Sequence, residues 1–125
     1  MSFVYDAGVL IAADRNERAI WGEHRARLEL GVVPVTTAPV VAQVSRSARQ
    51  VQLRRFLRGC AILPLAADQA HQVGALLARA ARTDVVDAHL IVVAASTGAV
   101  VLSSDPNDLT RLADALDVHV PIVAI

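Results

Sequence analysis

Lysine is missing from this chain altogether: its twelve cationic side chains are all arginine, set against twelve aspartates and glutamates for a formal net charge of zero. That absence excludes a P-loop lysine, a Schiff-base lysine and the lysine-assisted phosphoaspartate chemistry of receiver-type or haloacid-dehalogenase-type domains. The zero balance gives no global argument for nucleic acid, although a local cluster could still supply one. Cys60 is alone, so no internal disulfide or cysteine-based zinc site is possible, and beside Gly59 it reads as a small buried hydrophobe. No apolar run approaches the roughly 18 residues of a membrane span, and Asp6 interrupts the stretch where a signal peptide would need its apolar region. The cytoplasm is therefore the expected compartment, with no membrane role.

What is present is a 125-residue chain, 54% hydrophobic and 19% charged, which fits one globular domain over residues 1–125 and leaves no room for a second. Short β-branched segments alternate with helical ones. Residues 2–5 read as a strand ahead of Asp6, and 7–13 as a helical or turn segment. Residues 16–30 read as a helix with Ile20, His24 and Leu28 on one stripe, closed by Gly31; His24 there suits an interface or half-buried place, because no His or Cys neighbour supplies metal-site spacing. Val32 to Val35 read as the second strand. Thr37 then looks like an N-cap, with Pro39 in the first turn, for a helix through Val40, Val41, Val44 and Ala48.

Residues 50–58 continue or follow that helix with Val51, Phe56 and Leu57 inward. Arg46, Arg49, Arg54, Arg55 and Arg58 make this the one dense basic region, either a solvated face or a phosphate-contacting one. Residues 61–65 form the third strand and 66–82 a helix with Ala66, Ala70, Val73, Leu77 and Ala80 inward. A helix over 84–95 and a strand over 99–102 follow, then a helix from Asp105 or Pro106 carrying Leu109, Leu112, Ala113 and Leu116. Residues 119–125 supply a last strand, with Pro121 at its start or edge. The count is about five strands alternating with helices, an α/β pattern.

Asp84 to Leu109 is the segment around which this organisation turns. Ala88 to Ala95 leave little room for a solvated face, so that helix is expected to be sandwiched or at an interface. Asp87 on it must then be hydrogen-bonded, paired, protonated or metal-bound. Asp84 also reads as the helix N-cap, with Asp87 at N3, and Asp105, Pro106 and Asp108 also read as an ordinary capping arrangement. Convergence raises the functional reading: strands one and four of a parallel sheet can be neighbours, which would bring Asp6, Asp87 and Asp105 to one crevice at strand ends. Carboxylates gathered there repel unless a divalent cation holds them, and oxygen-only ligands favour Mg²⁺ or Mn²⁺ over zinc.

Three segments carry a resemblance: YDAGVLIAA with Asp6, VVDAHLIVVAAS with Asp87, and VVLSSDPNDLTRLA with Ser103, Asp105 and Asp108. Together they resemble the PIN-domain family, in particular the VapC-like ribonuclease toxins of type II toxin–antitoxin pairs, over nearly the whole chain. The resemblance implies a three-layer α/β/α fold, a cluster of acids binding Mg²⁺ or Mn²⁺, RNA as substrate, a cognate antitoxin and a homodimer. It makes Asp6, Asp87 and Asp105 the metal-holding catalytic acids, Asp108 an auxiliary metal acid, Ser103 a hydroxyl that orders the site and Asp84 an additional acid. Arg46, Arg49, Arg54 and Arg55 would position RNA, and the Trp21 helix with the arginine-rich region would receive the antitoxin. Two departures stand out: Gln43, followed by Arg46, occupies a position usually held by glutamate, and Gly8 replaces a hydroxyl residue often found two places after the first aspartate. Gln43 keeps a carbonyl oxygen but adds no charge, so cation affinity should be lowered. The leading expectation is a metal-dependent endoribonuclease. The alternatives are a weak or inactive PIN domain that binds RNA or protein, and a small α/β phosphohydrolase acting on nucleotides.

Overall fold

The first strand, β1 (Phe3–Tyr5), is the middle strand of the computed structural model, which describes residues 1–125. It is followed by α1 (Ala7–Asp14), α2 (Arg18–Glu29), β2 (Val35–Thr37), α3 (Ala38–Val44), α4 (Val51–Leu57) and β3 (Ala61–Leu63). After a short 3₁₀ turn come α5 (Ala70–Ala80), α6 (Val85–Thr97), β4 (Val100–Ser103), α7 (Pro106–Leu116) and β5 (Ile122–Ala124). All five strands pair in parallel, in the order β3-β2-β1-β4-β5. The chain moves outward from β1 through β2 to β3, then crosses back to β4 and β5. Right-handed crossovers therefore put the helices of the two halves on opposite faces: α1 packs with α2, α3 and α4, while α5, α6 and α7 pack with one another. The result is the three-layer α/β/α arrangement with a five-stranded parallel sheet.

Burial accounts for α6. Its residues Ala88 to Ala94 are all buried, seven in a row, so this helix has no wet face along its middle and is central to one core. It needs no partner chain for that. Gly98 ends it in the left-handed region at φ 66°, where a side chain would be strained.

Several boundaries moved from their sequence positions, each for a local reason. The second strand is Val35–Thr37, not 32–35, because Pro34 has no N–H for the ladder and its carbonyl instead accepts from Ala61 N–H at 2.9 Å. Thr37 is both strand end and cap, its Oγ1 accepting from Val40 N–H at 3.2 Å. The following helix stops at Val44, short of Ala48. Beyond it Gln50 organises the loop, its Oε1 accepting from the backbone of Arg46 and Ser47 and its Nε2 donating to the Val44 carbonyl and Asp14. The second helix begins at Arg18 because Asn16 adopts a left-handed φ of 59°. In α4 the inward residues are Leu53 and Phe56, whereas Val51 is exposed. In α5 they are Val73 and Leu76, and its first predicted turn is the 3₁₀ segment Ala67–Gln69.

His24 is fully inside, not half-buried or at an interface. Its ring lies 4.0 Å from that of Phe56, and Phe56 stacks in turn on Tyr5 and meets Trp21 edge-on. Arg27 Nη1 donates to the Tyr5 hydroxyl at 3.1 Å, which leaves that hydroxyl to donate to His24 Nδ1 at 3.0 Å. Burial pushes the Tyr5 phenol up to about 12 and the His24 imidazolium down, so both stay neutral at ordinary pH. Tyr5→Phe removes the donor to His24 and the acceptor for Arg27 together, and we expect a loss of about 1–3 kcal/mol. Urea unfolding should show the midpoint falling with the slope unchanged. Cys60 is half-buried beneath this cluster, its thiol raised to about 12 by desolvation.

Candidate active site

The topology reverses between β1 and β4, and ligands of open parallel sheets bind outside the carboxyl ends of the strands at such a reversal. Tyr5 pairs with Leu102, so the residues that leave the two strands, Asp6 and Ser103, emerge side by side. Asp6 N–H donates to the Leu102 carbonyl at 3.0 Å and fixes that junction. Asp6 caps α1, its Oδ1 accepting from Ala7 N–H at 2.7 Å, while Oδ2 accepts from Ser103 Oγ at 2.7 Å. Ser103 Oγ also accepts from Asp105 N–H at 3.0 Å. A single buried hydroxyl thus ties the first acid to the backbone of the third.

Asp105 occupies the N-cap position of α7 with Pro106 at N1, yet its carboxylate makes no capping hydrogen bond. It is free to face the crevice. Asp84 does cap: its Oδ1 accepts from Asp87 N–H at 3.1 Å. Asp87 sits in the first turn of α6 and is half-buried.

These side chains meet. Asp6, Gln43, Asp84, Asp87, Asp105 and Asp108 line one cavity of about 290 Å³, with Ala7, Gly8, Ile11 and Ser104 completing its wall. Burial first, and then the negative charges of Asp84, Asp6, Asp108 and Asp105, together push the Asp87 carboxyl up to about 7. No arginine forms an ion pair with any of these carboxylates; the one ion pair in the chain joins Arg27 and Glu23. The cluster is an uncompensated concentration of negative charge.

Such a donor set suits a hard cation, since every candidate ligand is oxygen. No three of the acids close into a chelating group as they stand. An ion that keeps several waters and takes only one or two carboxylates directly fits that open arrangement.

The predicted arginines lie elsewhere. Arg46, Arg49, Arg54 and Arg55 do not line the acidic cavity; Arg46 Nη1 donates to the Ser45 carbonyl at 2.8 Å, and the Arg55 guanidinium lies 5.5 Å over the Trp21 ring. Arg55 instead borders a separate cleft with Arg18, Trp21 and Arg25. Two residues that sequence reasoning passed over do reach the acids. Arg82 borders a smaller cavity of about 180 Å³ with Asp84, Asp87 and Asp108, and its Nε is buried with no partner. Its sequence signal was weak, because it follows a left-handed Ala81 that ends α5 and so left the helical pattern. Ser104 lines the main cavity beside Ser103, and nothing local in the sequence separates the roles of the two serines.

The profile of the PIN-domain family matches residues 3–115 of the chain. No curated protein sequence matches it significantly. Among solved structures, VapBC2 from Rickettsia felis, bound to a DNA fragment from its promoter, superposes with a TM-score of 0.71 at 13% identity, over 100% of this chain and 99% of that one. FitAB bound to an IR36 DNA fragment gives a TM-score of 0.67 at 19% identity, covering 98% of this chain and 94% of that one. PAE2754 from Pyrobaculum aerophilum gives 0.57 at 20% identity over 91% of this chain and 99% of that one. At these identities the structural likenesses establish the fold, and the profile match spans all five acids of the pocket. The chain belongs to the PIN-domain family.

Proposed function

We propose that this chain is a divalent-cation-dependent endoribonuclease, the toxin of a toxin–antitoxin pair. The observation that carries the reading is the uncompensated carboxylate cavity at the β1–β4 reversal, in a chain of the PIN family. Mg²⁺ or Mn²⁺, when bound, would neutralise the cluster, activate water and stabilise charge on a phosphodiester. The chain's own contribution is placement. Asp6 and Asp105 are held relative to each other through Ser103, and Asp87 is presented by the first turn of α6. Asp108 stands in the first turn of α7 and Asp84 at the cap of α6, both on the cavity wall.

Arg82, on the wall of the cavity it shares with Asp84, Asp87 and Asp108, supplies a cation suited to the phosphate next to the one being cut. Arg46, Arg49, Arg54 and Arg55 extend a basic surface from the α3–α4 loop along which an RNA backbone would lie. An antitoxin partner is supported by VapBC2 and FitAB, both solved on DNA fragments. A homodimer and a cytoplasmic location complete the reading. No helix is long and apolar enough to cross a membrane.

Gln43 favours a second reading, a domain that binds RNA or protein and cuts slowly or not at all. It lines the cavity, is exposed, and brings an amide where a carboxylate would add charge. The test is cleavage of a mixed pool of structured and unstructured RNA with Mn²⁺, Mg²⁺ or chelator. We expect metal-dependent cutting by the native chain, and Gln43→Glu to bind Mn²⁺ about tenfold more tightly. Cutting by Gln43→Glu alone would make the natural chain a disabled nuclease. Cutting that survives chelator would remove the cation from the account.

A further inference from the structure

Position 8 is closed to any side chain. Gly8 lies in the first turn of α1, two residues after Asp6, and a Cβ built on it would overlap the Ser104 hydroxyl, standing 2.6 Å from Ser104 Cβ and 3.2 Å from its backbone nitrogen. Rotating the hydroxyl away would relieve only the first of these contacts. The other two atoms are set by the turn between β4 and α7, and that turn is pinned on both sides. Ser103 bonds Asp6 and Asp105 through its side chain, and its carbonyl accepts from Ile125 N–H at 3.0 Å. Gly8 does not have a positive φ, so it is glycine for close approach rather than for backbone freedom.

That close approach has a chemical consequence. Ser104 fills the volume into which a side chain at position 8 would project, on the wall shared with Asp6, Asp87 and Asp105. Ser104 is exposed and its hydroxyl makes no hydrogen bond within the chain, whereas Ser103 is fully engaged with its two partners. Apart from Gln43, it is the one side-chain donor among the residues lining the cavity. We propose that Ser104 is a positioning residue: its hydroxyl, delivered from the β4–α7 turn into the place left open by Gly8, holds a water among the carboxylates. The proposal rests on the cation-dependent reading above. It assigns to one serine a role that is chemically interchangeable with a hydroxyl on α1.

That interchangeability is the test, read by calorimetric titration of the intact chain with Mn²⁺ alone and by RNA cleavage in parallel. Ser104→Ala should weaken Mn²⁺ binding about tenfold, as loss of an outer hydrogen bond to a metal site does. Gly8→Ser combined with Ser104→Gly moves the hydroxyl to the other side of the same contact and should restore binding to within about threefold of native. Gly8→Ala combined with Ser104→Gly refills the contact without a hydroxyl and should stay at the weakened level; thermal melts of every variant verify the fold. Native affinity in Ser104→Ala, or equal rescue by alanine and serine at position 8, overturns the proposal. Saturable Mn²⁺ binding that is lost in Asp105→Asn but indifferent to Ser104 removes Ser104 alone. No saturable binding by the native chain removes the cation reading, and Ser104's role with it.

Discussion

Asp6→Asn lowers Mn²⁺-dependent RNA cleavage by at least about a hundredfold, more than loss of an outer-sphere partner costs, while the chain still folds. The fold survives because asparagine keeps the shape of the aspartate. Its carbonyl oxygen still accepts from Ala7 N–H, and its amide can donate to Ser103 Oγ if that hydroxyl turns its proton away. What is lost is the charge, and with it the orientation of the Ser103 proton that also bears on Asp105 N–H. Asp6 is 8% exposed and sits at the strand reversal, so no neighbouring side chain can move in to replace it. Cleavage assays with matched circular dichroism melts check the prediction. A folded Asp6→Asn that cuts at the native rate would remove the acidic cavity from the mechanism.

The second large effect has opposite signs with and without a cation. The Asp87 carboxyl is pushed up to about 7 in the folded chain from 3.8, by burial first and then by Asp84, Asp6, Asp108 and Asp105. Between those two values the folded chain holds a proton that the unfolded chain has released. Stability from this group is therefore undiminished below the unfolded value, falls as pH rises through the window, and stays reduced above about 7. In chelator at pH 8, Asp87→Asn should melt about 4 °C or more above the native chain, and the gap should close as pH is lowered toward 4. Saturating Mn²⁺ should reverse the order, raising the native melting temperature and leaving Asp87→Asn nearly unmoved. Parallel pH profiles of the two proteins, with or without Mn²⁺, would show that Asp87 is not under electrostatic load.

Much of this site was legible in the linear chain, and the reason is local. Asp84 four residues before a solid apolar run, and Asp105-Pro106 after a β-branched strand, are signals that need only nearest neighbours. The same signals left capping and chemistry undivided. The structure divided them, because Asp84 spends an oxygen on Asp87 N–H while Asp105 makes no capping bond at all. Val51 and Leu53 show the limit on packing: with four apolar residues in seven, α4 could face either way until Phe56 was fixed against Tyr5, Trp21 and His24.

By itself the sequence determined the alternation of strands and helices, the buried character of α6 and the acids at its start and beyond β4, since periodicity, capping and composition act over a few residues. Only the tertiary structure decided which of those groups meet. The bond from Ser103 to Asp6 spans 97 positions, the contact between Gly8 and Ser104 crosses from α1 to the β4–α7 turn, and Arg82, not the dense arginine cluster, came to rest beside the acids. Those outcomes follow from the parallel pairing of β1 with β4, and strand pairing is a property of the whole packed sheet that no short stretch of side chains encodes.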